Sequence, residues 1–146
     1  MSTRCSIHFT IKGYDRVDAN VYRHSDGYPD SVLPDLAQFF KDVQNQCGAD
    51  STSGTRFSDP VYLAAKFVVW QAHRNARTFK FGKGRAEVVQ TPPLDFLGVG
   101  VQVEDPGDIE FVYTVECPRG YDSPDAPAVT WKEVLRVRSV PRYRRI

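Results

Sequence analysis

Near the start of the chain, apolar and polar residues alternate in two runs separated by Gly13. The apolar positions are Ile7, Phe9 and Ile11 in the first run and Val17, Ala19 and Val21 in the second. Because side chains of a strand point alternately to its two faces, this pattern predicts a β-hairpin with one buried face. The other face would be polar, with Arg4, Ser6, His8, Thr10, Asn20 and Tyr22 on it. Such a face is usually left to solvent, although it can also form the floor of a binding site.

Apolar residues follow helical spacing in two later segments. The first set is Val32, Leu33, Leu36, Phe39, Phe40 and Val43. It predicts a helix over about 32–46, with Ser31 as its N-cap. Asp59 and Pro60 are typical of a second helix start, and the apolar stripe after them predicts a helix to about Arg77. Residues 47–58 are rich in Gly, Ser and Thr, so we expect a loop there that could act as a lid.

Alternation returns in the last third of the chain. After a short expected strand near 86–90, the apolar positions are Val99, Val101 and Val103, then Phe111, Tyr113 and Val115. The turn residues at 105–108 lie between these two runs, which predicts a second hairpin. A last strand is expected near 129–137.

The predicted elements follow the order β-β-α-α-β-β-β-β. Because the strands are segregated from the helices, this order indicates an α+β fold: two helices pack on one face of a mainly antiparallel sheet of about five to six strands. No internal repeat or interdomain linker interrupts the chain, so we expect a single domain over 1–146. A basic tail at 138–146 could be flexible. An exposed edge strand of the sheet could pair two copies into a homodimer.

Composition narrows the class of protein. Hydrophobic residues make up 41% of the 146 residues, charged residues make up 25%, and the mean hydropathy is −0.42. These values are those of an ordinary globular domain and exclude a membrane span or a largely disordered chain. The formal net charge of +1 argues against a nucleic-acid partner. Residues 66–85 are basic, however, and residues 95–125 are acidic, so either the two regions neutralise each other or the basic one meets an anionic partner.

The cysteines and histidines form no recognisable motif. Cys5, Cys47 and Cys117 lack CxxC spacing, and no segment of signal-peptide type follows Met1. We therefore expect a cytoplasmic protein with free thiols and no membrane contact. The histidines are not spaced as metal ligands, so we expect no metal and no cofactor. Nucleophile and Walker motifs are absent from the sequence, which leaves no residue assigned to catalysis.

The densest polar run is Tyr22-Arg23-His24-Ser25-Asp26-Gly27-Tyr28-Pro29. It lies where a predicted strand meets the N-terminus of a predicted helix, which offers free N–H groups to an anion. An arginine can add a bidentate contact to phosphate, and tyrosines can stack on a base. Two other interpretations stay open. The run can simply be a turn that starts a helix, and His24 with Asp26 could form an acid–base pair.

Several segments together resemble a known family. They are Ser2-Thr3-Arg4 followed by Ile7, the Tyr22–Pro29 run with Leu33, Pro34, Leu36 and Phe39 after it, and Gly107, Asp108, Ile109, Glu110, Phe111 and Tyr113. In these segments, which span most of residues 2–46 and 98–117, the chain is similar to an uncharacterised family of small hypothetical proteins of bacteria and phages. The resemblance implies a shared fold and a phage or bacterial setting. It implies no catalytic residue.

We therefore expect a small binding protein for an anionic or nucleotide-like ligand, centred on the Tyr22–Pro29 turn. The expected contacts come from Arg4, Tyr22, Arg23, His24, Asp26 and Tyr28, with His73 and Arg74 in a second ring. One alternative is a hydrolase, such as a phosphodiesterase, that uses His24 and Asp26. Another is a protein–protein interaction module, such as a phage inhibitor of a host factor. The sequence favours binding over catalysis.

Overall fold

The structure is a computed structural model that describes residues 3–47, 57–77, 80–81, 87–88, 98–120 and 125–134. Its elements in chain order are β1 (Cys5–Ile11), β2 (Ala19–Arg23), α1 (Pro29–Cys47), α2 (Pro60–Arg77), β3 (Lys80–Phe81), β4 (Glu87–Val88), β5 (Val99–Gln102), β6 (Phe111–Cys117) and β7 (Ala128–Glu133). The chain therefore has the α+β class expected from the sequence. Residues 48–56 of the expected lid and the basic tail at 138–146 lie outside the described residues.

Five strands form one sheet in the order β5-β2-β1-β6-β7. The hairpin of β1 and β2 is confirmed, with Ile7 opposite Val21. The prediction of a mainly antiparallel sheet needs a correction, because β1 and β6 run parallel at its centre, with Ile7 opposite Tyr113. The sheet is therefore mixed. The predicted strand order also differs, because β3 and β4 form a separate two-stranded sheet where one strand was expected.

The predicted hairpin of residues 99–115 is wrong. β5 pairs with β2, β6 pairs with β1, and two strands of the sheet therefore separate β5 from β6. Alternation and turn residues are local signals: they predict two strands joined by a short loop, but they do not show that these strands pair. The loop at 103–110 instead crosses the polar face of the sheet, where its Asp105 bonds to His8 and its Asp108 bonds to Arg4.

Both helices pack on the opposite, apolar face of the sheet. The fully buried side chains there include Ile7, Phe9, Val21, Tyr113 and Val115 from the strands. Phe67 of α2 lies at the centre of an aromatic cluster, with its ring centroid 5.2 Å from that of Phe39 on α1 and 6.2 Å from that of Phe9. Fully burying one such ring stabilises the fold by roughly 1.5–3 kcal/mol. The core therefore joins the sheet to both helices.

The structure confirms the predicted N-cap of the second helix but not that of the first. Asp59 caps α2, since its Oδ1 accepts hydrogen bonds from the N–H groups of Val61 (3.0 Å) and Tyr62 (3.2 Å). By contrast, Ser31 is not the N-cap of α1, because the helix begins at Pro29. The carbonyl oxygen of Tyr28 already accepts from Ser31 N–H at 3.0 Å, and proline at the first helical position needs no N–H acceptor.

Neither helix could cross a lipid bilayer: among the described residues, no helix combines the necessary length with an apolar composition.

Candidate functional site

The Tyr22–Pro29 run is divided between the two faces of the sheet. Strand alternation places Val21 and Arg23 on the helix side of β2 and Tyr22 on the polar side, since its neighbour in β1 is Ser6. His24 lies beside Tyr22, with its Nδ1 3.5 Å from the Tyr22 hydroxyl. The expected ligand contacts therefore do not form one cluster.

Arg23 is buried in the protein, with 7% of its surface exposed. Its Nη1 donates to Asp35 Oδ2 on α1 at 2.8 Å and to Gln71 Oε1 on α2 at 3.3 Å, and its Nε donates to Ser25 O at 3.0 Å. This guanidinium thus ties β2 to both helices. Removing one partner of such a buried pair typically costs about 3–5 kcal/mol, because the other charge stays buried without compensation.

The middle of the run is a tightly packed turn. Asp26 has a φ of 55°, in the left-handed region that aspartate tolerates better than most residues. Gly27 N–H donates to Thr3 O at 2.9 Å, and Gly27 O accepts from the Tyr113 hydroxyl at 2.6 Å. A Cβ on Gly27 would lie only 2.9 Å from Thr3 O. The Asp-Gly pair therefore has a structural role in joining the turn to β1 and β6.

Of the remaining predicted contacts, Arg4 lies with Tyr22 and His24 on the polar side of the sheet, whereas Tyr28 packs against Phe111. Tyr28 is half-exposed, and its ring centroid lies 5.9 Å from that of Phe111. Arg4 forms an ion pair with Asp108 on the polar side of the sheet. Tyr22 lies near both members of this pair. Its pKa is raised, mainly because its hydroxyl is partly buried and also because the negative charge of Asp108 is close. No hydrogen bond joins His24 to Asp26 within the described part of the chain.

His73 and Arg74 line a cleft between the two helices that we call the interhelical cleft. It has a volume of about 930 Å³ and opens to solvent. Its walls include Tyr62, Lys66, Trp70, His73 and Arg74 of α2 with Gln38 and Asp42 of α1. These five α2 residues share one face of the helix, because each is three or four positions from another member of the set. This spacing is a signal in the sequence that could have identified the cleft.

Arg74 connects this cleft to the buried Arg23. Its Nη2 lies 3.2 Å from Asp35 Oδ1, while Arg23 bonds the other oxygen of the same carboxylate. The Arg74 guanidinium also lies over the Trp70 ring, 5.1 Å from its centroid. The indole is held in place by its Nε1–H, which donates to Asp42 Oδ2 at 2.7 Å. Two guanidinium cations thus share one carboxylate, which leaves this group with a net positive charge at the cleft wall.

A second polar network lies on the opposite face of the sheet. Asp105 Oδ1 lies 2.8 Å from His8 Nε2 and accepts from Asn20 Nδ2 at 2.8 Å, and Gln102 Nε2 donates to Ser6 Oγ at 2.7 Å. Partial burial opposes ionisation of Asp105, but hydrogen bonds from His8, Asn20 and Ser6 outweigh it and lower the pKa of this carboxyl. The network fastens the loop at 103–110 to the sheet.

Sequence reasoning placed Ser6, His8 and Asn20 on this polar face but missed their partner. Asp105 is 97 residues from His8 in the chain, and its sequence context indicates only a turn. No local signal could have joined the two. Asp105 reaches His8 because the loop at 103–110 crosses over β1 and β2.

Cys5 and Cys117 are buried at the two ends of the parallel strand pair. Burial raises the pKa of each thiol to about 12, so both stay protonated at neutral pH and are poor nucleophiles. Among the residues whose positions are described, no group of three or more His, Cys, Asp or Glu side chains could hold a metal ion.

Comparisons with known proteins leave the chain without an assigned relative. The resemblance to small bacterial and phage proteins therefore stays a prediction. No family model, no curated protein and no solved structure matches this chain significantly.

Proposed function

We propose that this chain is a cytoplasmic binding protein of a bacterium or phage that holds an anionic, nucleotide-like ligand in the interhelical cleft. The observation that carries the proposal is the sharing of Asp35 by Arg23 and Arg74. Because one carboxylate cannot neutralise two guanidinium groups, the site retains positive charge, and the partly exposed Arg74 presents that charge to the cleft. Low-dielectric walls strengthen the attraction of such a charge for an anion.

Lys66 adds a second cation to the cleft, and His73 adds a ring that can form hydrogen bonds. Both lie on the same face of α2 as Arg74. The Asp42 carboxylate on the facing helix accepts the Trp70 N–H and offsets one of the two positive charges of Lys66 and Arg74. A phosphate or carboxylate group between these side chains would receive charge-assisted hydrogen bonds, which are roughly twice as strong as neutral ones. The cleft therefore suits a ligand with at least one negative charge.

The aromatic side chains favour a ligand with a planar ring. Tyr62 is 67% exposed and lies one helical turn from Lys66, so its ring is free to stack on a base. Base–aromatic stacking contributes about 1–3 kcal/mol per base in nucleic-acid-binding proteins. Lys66 lies between Tyr62 and Arg74 on this face of α2. A ring on Tyr62 and a charged group that extends from Lys66 toward Arg74 are together the features of a nucleotide.

In this proposal the Tyr22–Pro29 turn acts indirectly. Arg23 does not touch the ligand but holds Asp35, and Asp35 in turn orients Arg74. Arg23 is thus a positioning residue. Arg4, Tyr22 and His24 lie on the other side of the sheet and take no part in this binding mode.

Isothermal titration calorimetry with adenosine 5′-monophosphate tests the proposal, with inorganic phosphate and uncharged adenosine as comparison ligands. We expect the nucleotide to bind, adenosine to bind about tenfold more weakly, and Lys66→Ala or Tyr62→Ala to weaken nucleotide binding about three- to tenfold. Both side chains are exposed, so neither substitution should disturb the core.

The matched control is Lys41→Ala, which removes the same charge from an exposed position on α1 outside the cleft. The proposal is wrong if neither nucleotide nor phosphate binds at millimolar concentration, or if Lys41→Ala and Lys66→Ala weaken binding equally. Chromatography of the nucleotide after incubation separates a binding protein, which returns it intact, from a hydrolase, which does not.

A further inference from the structure

The two edges of the five-stranded sheet differ in how well they are protected against pairing with another chain. One edge is β7, which carries the charged residues Lys132 and Glu133. The other edge is β5, which carries no charge and no proline. Proteins usually guard an edge strand with charged residues, proline or a bulge, because its free N–H and C=O groups can pair with another chain. β5 has neither charged residues nor proline, so it is open to such pairing.

Exposed valines make the β5 edge more unusual. Val101 is 80% exposed, and Val103, directly after the strand, is 100% exposed. Val101 lies opposite the fully buried Val21 of β2, so the apolar face of the sheet continues beyond the area that the helices cover. Within the described residues, no segment pairs with the far side of β5.

We propose that a second copy of this chain pairs with β5, antiparallel and about a two-fold axis at Val101. The sequence Val99-Gly100-Val101-Gln102-Val103 complements itself in this register. Val101 faces Val101 of the second copy, and Val99 faces Val103 of the second copy. On the other face, Gly100 faces Gln102 of the second copy.

This register explains the distribution of residues along the strand. All three valines of each copy lie on the same face, so the pairing forms one apolar row that crosses the axis. On the polar face, a Cβ on Gly100 would find no atom within 4 Å, so there is room for the opposite Gln102 side chain. The two sheets would join into one continuous ten-stranded sheet.

The dimer should be weak, because a single edge of four or five residues buries less surface than a standard interface. We expect a dissociation constant on the order of 10–100 µM. The inference is independent of ligand binding in the interhelical cleft, which lies between the helices.

Analytical ultracentrifugation over a concentration series tests the dimer. Val101→Lys places like charges opposite each other at the axis, so it should raise the dissociation constant about tenfold or more. Val61→Lys is the control, because Val61 is 55% exposed on α2, away from the sheet edge. A protein that remains monomeric at about 1 mM, or a dimer that Val101→Lys weakens no more than Val61→Lys, overturns the proposal.

Oxidative cross-linking tests the register. In a Cys47→Ser background, Val101→Cys should form a disulfide-linked dimer, because the two introduced thiols face each other across the axis. Val103→Cys should not, because its partner is Val99 of the second copy. Cross-linking that is equal for the two variants, or stronger for Val103→Cys, contradicts the two-fold axis at Val101.

Discussion

The Nη1 of Arg23 donates to Oδ2 of Asp35 across 2.8 Å, and only 8% and 11% of the two side chains are exposed. The pair joins the second strand of the sheet to the first helix at a point where neither side chain reaches water freely. Asp35 also bonds Arg74 at the cleft wall. Arg23, from the most polar run in the sequence, is therefore part of the protein interior, and in the proposed binding mode it acts on the ligand through Asp35.

Arg23→Ala should destabilise the fold by about 3–5 kcal/mol, because Asp35 and Gln71 lose a buried partner. Urea unfolding followed by circular dichroism measures this change. Arg119→Ala is the control: this arginine is exposed, and its hydrogen bond to the Tyr14 hydroxyl also lies at the surface, so its loss should cost about 1 kcal/mol or less. If Arg23→Ala left stability unchanged but abolished ligand binding, Arg23 would contact the ligand directly.

Gly27→Ala should destabilise the fold by about 1–3 kcal/mol, because the added Cβ would lie 2.9 Å from Thr3 O and 3.0 Å from the Cys5 Cβ. The same urea experiment applies. Gly107→Ala is the matched control, since a Cβ there meets no atom within 4 Å. Equal stabilities of the two variants would show that the turn can move away from β1.

Stability should fall in acid through Asp105. Its pKa is lowered in the folded protein, so it contributes stability above its unfolded pKa of about 3.9. That contribution is lost as the pH falls from about 4 through the lower folded pKa. Unfolding free energies of the wild type and Asp105→Asn between pH 6 and 2 measure the effect, and the variant should show the smaller decrease. Parallel curves would mean that other carboxyl groups account for the acid sensitivity.

Cys5 and Cys117 should be unreactive in the folded protein. A pKa raised to about 12 lowers the thiolate fraction at pH 8 by about 10³-fold relative to an exposed thiol, and burial also blocks the reagent. Ellman's reagent added to the Cys47→Ser variant, with and without denaturant, measures the two rates. Rapid reaction of either thiol without denaturant would contradict its burial.

Part of the candidate site could have been predicted from local patterns. Strand alternation places Arg23 on the same side as the apolar Val21, and helical spacing places Lys66, Trp70 and Arg74 on one face of α2. Neither pattern identifies Asp35 as the shared partner of Arg23 and Arg74. That sharing requires α1 to pack beside both β2 and α2, which depends on the whole fold.

The sequence by itself determined the approximate positions of both helices and of the five strands of the main sheet, and which of their faces are apolar. Ile7, Phe9 and Val21 are buried as their alternation predicts, and Asp59 caps the second helix as its position before Pro60 predicts. These are consequences of backbone periodicity and of hydrogen bonds between near neighbours. Tertiary structure alone decided that β6 pairs with β1 rather than with β5, and that Asp105 reaches His8. Pairing between distant segments is selected by the burial of all apolar faces at once, and no short segment carries that information.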